Sequence, residues 1–221
     1  MDIFSFTGYY TARIIYYGVS LESQSPQRWI VGVTGASGIR YAIRLIDALV
    51  DLEIETHAVF SDSAIRVLRD EEGLAISSSN LSAASLLNKE SKSVTFYNSK
   101  DIGALIASGS AKMSGMVIIP CSMNTLGAIA TGVHSHLVHR AADVTMKEAR
   151  PLILVPRESP LSAIHLENML KLSRLGVQIV PAMPGFYHRP KEIKDLIDMM
   201  VMKVLDAMKI SNELTSRWQG S

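Results

Sequence analysis

Six short apolar runs recur along the chain: Trp29–Val33, Thr56–Phe60, Val94–Tyr97, Met116–Ile119, Leu152–Val155 and Val177–Val180. Each is too short for a helix of useful length and rich in β-branched residues. Most lack the polar alternation of a strand with one wet face. A strand that is apolar on both sides must be covered on both sides. Longer stretches with helical spacing separate most of the runs and can supply that cover. Tyr41, Ile43, Leu45, Ile46 and Leu49 give a helix after the first run. Ile164, Met169, Leu170 and Leu175 give another, closed by Gly176. A last helix opens at Pro190 and carries Ile193, Leu196, Ile197, Met200, Val201, Val204, Leu205 and Met208 in the 3- and 4-residue rhythm. Strand–helix alternation of this kind predicts an α/β chain, with a mostly parallel open sheet and helices on both faces. Such sheets bind ligands beyond the carboxyl ends of their strands, near the point where strand order reverses.

Other properties narrow the function. The chain has 221 residues and a formal net charge of +1, so no charge excess points to nucleic acid. No apolar run reaches the roughly 18 residues that span a bilayer. One cysteine cannot form an internal disulfide, which fits a reducing compartment and a cytoplasmic protein. Residues 1 to 28 crowd aromatics between Phe4 and Tyr17 without a clear period and end in the polar "SLESQSPQ". They read as an appendage or linker before a single domain over 29–221.

Polar groups gather where these strands end. In "VGVTGASGIRY", residues 31–41, glycines allow close approach of a ligand to a turn and a helix N-terminus. The spacing lacks the G-x-G-x-x-G dinucleotide pattern, and an ordinary turn with Ser37 as N-cap reads equally well. In "GMVIIPCSMNTLGAIATG", residues 115–132, a strand breaks at Pro120. Cys121, Ser122, Asn124 and Thr125 then crowd into a turn. Ser122 and Thr125 can face an anion or simply cap a helix from Asn124 onward. Cys121 reads as a buried small hydrophobe. In "RAADVTMKEARPLILVPRESP", residues 140–160, Arg157 and Glu158 follow a strand. Arg157 can fork to a phosphate or a flavin carbonyl, and Glu158 beside Lys147 can exchange protons. In "PAMPGFYHRP", residues 181–190, Tyr187 offers a hydroxyl on an apolar ring. His134, His136 and His139 lack a metal-ligand spacing, so no metal is expected.

Together these segments resemble the UbiX/Pad family of flavin prenyltransferases, from about Trp29 to Trp218. The likeness rests on "TGASG", "ETH" at Glu55–His57, "SGS" at Ser108–Ser110, "PCSMNTLGAIATG", "RAADVTMKEARPLILVPRESPLSAIHLENMLKL", "PGFYHRP" and "RW" at Arg217–Trp218. The resemblance implies a Rossmann-like flavoprotein fold and a homo-oligomer, a dodecamer built of trimers; the methionines of the last helix, Met199, Met200, Met202 and Met208, read as contact material for such an assembly or as filling of the monomer's core. It implies reduced FMN and dimethylallyl phosphate as substrates. The product is prenylated FMN, destined for a UbiD-type decarboxylase. Flavin contacts carry over to Gly35, Ala36, Ser37, Ser61, Ser122, Met123, Asn124, Thr125 and Arg157. Prenyl phosphate contacts carry over to Arg140, Lys147, Glu158, Tyr187 and Lys203, with Trp218 as a π face. Glu71 matches an acidic residue lent by a neighbouring subunit. The implied catalytic group is Ser37, Glu71, Lys147 and Glu158. Lys203 stands where many members have Arg, and Ser135 and His136 where the family often has Asp or Asn. Two other readings remain open on the residues: a flavin-dependent decarboxylase of the related cysteine-decarboxylating group, and a non-catalytic FMN carrier.

Overall fold

The protein is described by a computed structural model over residues 27–218. Six strands, β1 (Arg28–Val33), β2 (Glu55–Phe60), β3 (Val94–Asn98), β4 (Gly115–Cys121), β5 (Leu152–Pro156) and β6 (Gln178–Ile179), form one sheet in the order β3-β2-β1-β4-β5-β6. Every pairing is parallel. The order reverses between β1 and β4, which places the switch point between the two strands that lead into the polar turns. Residues 1–26, most of the expected appendage, lie outside the described residues, and Arg28 already belongs to β1.

Among the described residues seven α-helices follow in chain order: α1 (Ile39–Asp51), α2 (Asp62–Glu72), α3 (Ala83–Leu87), α4 (Met123–Thr131), α5 (Leu137–Lys147), α6 (Ala163–Arg174) and α7 (Ile193–Ala207). The sheet has two dry faces, as its apolar strands require. On one, Trp29, Val31 and Val33 pack with Ile39, Leu45, Ile46 and Leu49 of α1 and Val201, Val204 and Leu205 of α7. On the other, Ile30, Met116 and Ile118 pack with Leu126 of α4, Leu137 and Val138 of α5 and Leu172 of α6. Among the described residues no helix is long and apolar enough to cross a membrane.

Three expectations change. β4 does not break at Pro120 but runs on through Cys121, with its pairing to β5 shifted between Ile118 and Cys121. A proline lacks an N–H but still presents a carbonyl, so the segment can end a strand without leaving the sheet. In α6 only Leu172 is buried, and Ile164, Leu170 and Leu175 are 69%, 51% and 66% exposed. These apolar side chains face away from the chain's own core. Ile193 of α7 is likewise exposed, while Met199, Met200, Met202 and Met208 are buried within the chain and fill its core rather than an interface. Gly176 closes α6 as expected: at φ 85 it follows the cap residue Leu175, its N–H reaches the Ser173 carbonyl at 3.0 Å and that of Val177 the Leu172 carbonyl at 3.1 Å.

Candidate functional site

The carboxyl edge of the sheet gathers the turns after β1, β2, β4 and β5. Gly35 begins the first. A Cβ on Gly35 would lie 2.4 Å from Cβ of Ser63, so only glycine lets the β1 turn lie against the start of α2. Gly38 (φ 101) is the cap residue of α1, and no side chain caps that helix from its own turn. Ser37, expected as the N-cap, is exposed and points no cap at the helix. Glu71, near the end of α2, does that work instead. Its carboxylate accepts the N–H groups of Gly38 (3.0 Å) and Ile39 (3.0 Å). Glu71 was expected to arrive from a neighbouring subunit; here it stands against the turn of its own chain. Burial pushes its carboxyl up, but hydrogen bonds from the Ser37 hydroxyl and from the Gly38 and Ile39 N–H groups, with the nearby Arg157 charge, more than offset this. It is held below the usual carboxylate range.

Two further helices start at the same edge. Ser61 caps α2, accepting from the N–H of Ala64 at 3.1 Å. Ser122 caps α4, accepting from the N–H of Thr125 at 3.3 Å, and donates its own hydroxyl to Oγ1 of Thr125 at 3.1 Å. The helix therefore starts at Met123, one residue earlier than expected. Met123 and Thr125 are buried and Asn124 is exposed. Arg157, just past β5, donates from Nε to the backbone carbonyl of Ser37 at 3.0 Å, tying the outer turn to the first. The N-termini of α1, α2 and α4 thus open on one edge beside a guanidinium and several hydroxyls, with the first N–H groups of α1 taken by Glu71. Such a donor set suits an anionic, hydrogen-bonding ligand such as FMN, and the Gly35 cradle admits close backbone approach. Ala36 is buried beneath the turn. Cys121 is fully buried and burial pushes its thiol far above its ordinary value, so it does not serve as a nucleophile.

The residues expected to meet prenyl phosphate are not brought together in one chain. Glu158 is exposed beside Arg157 and accepts the N–H of Ser159 at 3.0 Å. Lys147 closes α5 at the opposite, amino edge, 3.0 Å from Glu148, so the expected Lys147–Glu158 pair does not form within the chain. Arg140 is paired with Asp143 at 3.1 Å. Lys203 lies on the exposed side of α7. Tyr187 and Trp218 meet edge to face with ring centroids 6.2 Å apart, and both are exposed, at 42% and 67%. Sequence reasoning passed over Thr34, which links the turns after β1 and β4; its only signal was a hydroxyl at the end of an otherwise apolar strand.

The three histidines stand at the start of α5. The rings of His136 and His139 lie 3.9 Å apart, and Nδ1 of His139 receives the Ser135 N–H at 3.3 Å. Among the described residues no group of three or more His, Cys, Asp or Glu side chains is placed to hold a metal. Burial, then the neighbouring His136 and His134, push His139 down from 6.5 to about 4, and burial lowers His136. The unfolded chain therefore binds protons here that the folded chain refuses. Stability from this pair is fully present above pH 6.5 and falls as the pH drops toward about 4. Thermal unfolding from pH 7 to 4 should show a steep acid loss that His139→Phe flattens; an unchanged slope would count against this origin.

The Flavoprotein family profile matches residues 18–217. The flavin prenyltransferase UbiX of Halalkalibacterium halodurans is 47% identical over 190 residues, covering 86% of this chain and 92% of that one. The solved structure of AnUbiX (PadA1) in complex with FMN and dimethylallyl pyrophosphate matches with a TM-score of 0.80 and 39% identity, covering 89% of this chain and 100% of that one. A structure described as a dodecameric FMN-dependent UbiX-like decarboxylase, from Escherichia coli O157:H7, matches with a TM-score of 0.79 and 43% identity, covering 88% and 100%.

Proposed function

This chain belongs to the flavoprotein family, among its flavin prenyltransferases, and from that premise we propose how its carboxyl-edge cleft works. The enzyme joins a dimethylallyl group from dimethylallyl phosphate to N5 and C6 of reduced FMN, giving prenylated FMN. The observation that carries the site assignment is the tie of Arg157 to the Ser37 carbonyl, which closes the β1 and β5 turns around the starts of α1 and α4.

Gly35, Ala36, Ser37, Ser61, Ser122, Met123, Asn124, Thr125 and Arg157 hold FMN. Bound reduced FMN supplies the nucleophilic N5 and C6. The chain's own groups do the rest. Arg140, Lys147 and Lys203 stabilise the departing phosphate, whose negative charge grows as the allylic C–O bond breaks. Tyr187 and Trp218 form an aromatic wall that keeps water from the allyl group and faces its positive charge. Glu158, exposed and free of any ion pair among the described residues, accepts the proton released on ring closure. The Ser37 hydroxyl and the ionised Glu71 form a short proton path at the first turn.

Because Lys147 stands at the far edge of its own sheet, it reaches a cleft only from another copy. The exposed apolar residues Ile164, Leu170 and Leu175 at α6 offer contacts for such copies, and a dodecamer is the assembly we favour. The product passes to a UbiD-type decarboxylase, and the single buried cysteine suits a cytoplasmic setting. The deciding experiment is anaerobic incubation with reduced FMN and dimethylallyl phosphate, followed by mass analysis of the flavin. A mass gain of one dimethylallyl unit is expected; unchanged flavin would sink the reading.

A further inference from the structure

Regular pairing between β1 and β4 ends at Gly32 and Ile118. Beyond it, β4 shifts register against β5 before Cys121. The turns that follow β1 and β4 therefore leave the ladder just where a ligand must be met. Thr34 takes over from the ladder at that point. Its backbone N–H reaches the Pro120 carbonyl at 3.3 Å. Its hydroxyl donates to the same carbonyl at 2.8 Å and accepts the N–H of Ser122, also at 2.8 Å. Thr34 is 1% exposed, so these bonds are out of competition with water.

The geometry has a directional consequence. With its N–H drawn inward to Thr34, Ser122 is fixed in orientation. Its side chain then caps α4 and bonds the Thr125 hydroxyl. The hydroxyl of Thr34 thus sets where the first turn of α4 lies relative to Gly35 and Ser37. We infer that Thr34 is a positioning residue for flavin binding, acting through Ser122 and the start of α4 without touching the ligand. This rests on the reading of the carboxyl edge as the FMN site.

Thr34→Val keeps the shape but removes both the donor and the acceptor. It leaves the Ser122 N–H without its partner, and an unmade buried hydrogen bond of this kind is worth about tenfold in a binding constant. Thr34→Ser keeps the hydroxyl and loses only a methyl group. Thr34→Ala removes the hydroxyl while easing packing, so it carries the test if the valine variant does not fold. Oxidised FMN is titrated into each full-length protein and read by fluorescence quenching, beside a thermal unfolding curve without FMN. Thr34→Val and Thr34→Ala are expected to bind about tenfold more weakly and Thr34→Ser about as tightly as the parent. A role in stability alone would lower the unfolding midpoint and leave FMN affinity unmoved, and that result overturns the proposal. So does a Thr34→Ser variant that loses as much affinity as Thr34→Val. A parent chain that binds no FMN would instead bring down the flavin reading, and this inference with it.

Discussion

Glu158→Gln should lower single-turnover prenyl transfer by about 10²–10⁴-fold and leave FMN binding intact. The local geometry separates the two effects. Among the described residues the carboxylate of Glu158 makes one hydrogen bond, from the N–H of Ser159 at 3.0 Å. A glutamine carbonyl can accept that same N–H. The turns that cradle the flavin are held by other groups: Arg157 on the Ser37 carbonyl, Glu71 on Gly38 and Ile39, and Thr34 on Pro120 and Ser122. The variant therefore keeps its loop and loses only a basic oxygen. FMN titration should match the parent, while the yield of prenylated flavin in a single turnover should collapse. Parental turnover would remove Glu158 from proton transfer and assign that step to the released phosphate. A parent that holds FMN yet never turns over would favour the carrier reading.

Mixed assemblies of Lys147→Ala and Glu158→Gln chains should be far more active than either variant alone. Lys147 ends α5 at the amino edge and Glu158 follows β5 at the carboxyl edge. The two are parted by the length of β5, about 16 Å at roughly 3.3 Å per residue. If both serve one reaction, they must come from different copies. Each pure variant then lacks one group at every site. In an equal mixture, about a quarter of the sites take an intact Lys147 from one copy and an intact Glu158 from another. Co-expression with two distinguishable tags, followed by tandem purification and a prenylation assay, measures this. Activity near a quarter of the parental value is expected. A mixture no more active than the two variants would show that Lys147 does not complete a neighbour's site.

The central strands β1, β2, β4 and β5 were legible in the sequence because they are buried on both faces, while the edge strands β3 and β6 are only partly buried. β1 and β2 begin one residue before their apolar runs, and β5 ends one residue after its own. Burial on both sides demands apolar residues at every position, and that demand is local. Gly35 and Ser122 were legible for a related reason: a tight turn into a helix needs a small residue and, at α4, a capping oxygen close by in the chain. The helix α6 was also visible, but the exposure of its apolar residues was not. Spacing reports that Ile164 and Leu170 belong to a helix, not whether they meet the chain's own core. The methionines of α7 show the converse. They looked like material for an interface, yet they lie within the chain, where the loop after β6 and the C-terminal segment reach Met199 and Met202.

What the sequence determined by itself was the alternation, the doubly covered sheet and the turn residues, because each follows from contacts among near neighbours. Tertiary structure alone decided that Glu71 caps a helix starting 32 residues before it, that Thr34 binds across 86 and 88 residues to the end of β4 and the turn after it, and that Lys147 and Glu158 stand at opposite edges of the sheet. Those pairings depend on strand order and on helix direction relative to the sheet. Hydrogen bonds of this kind are satisfied only once the sheet has assembled, so no local pattern in the chain records them.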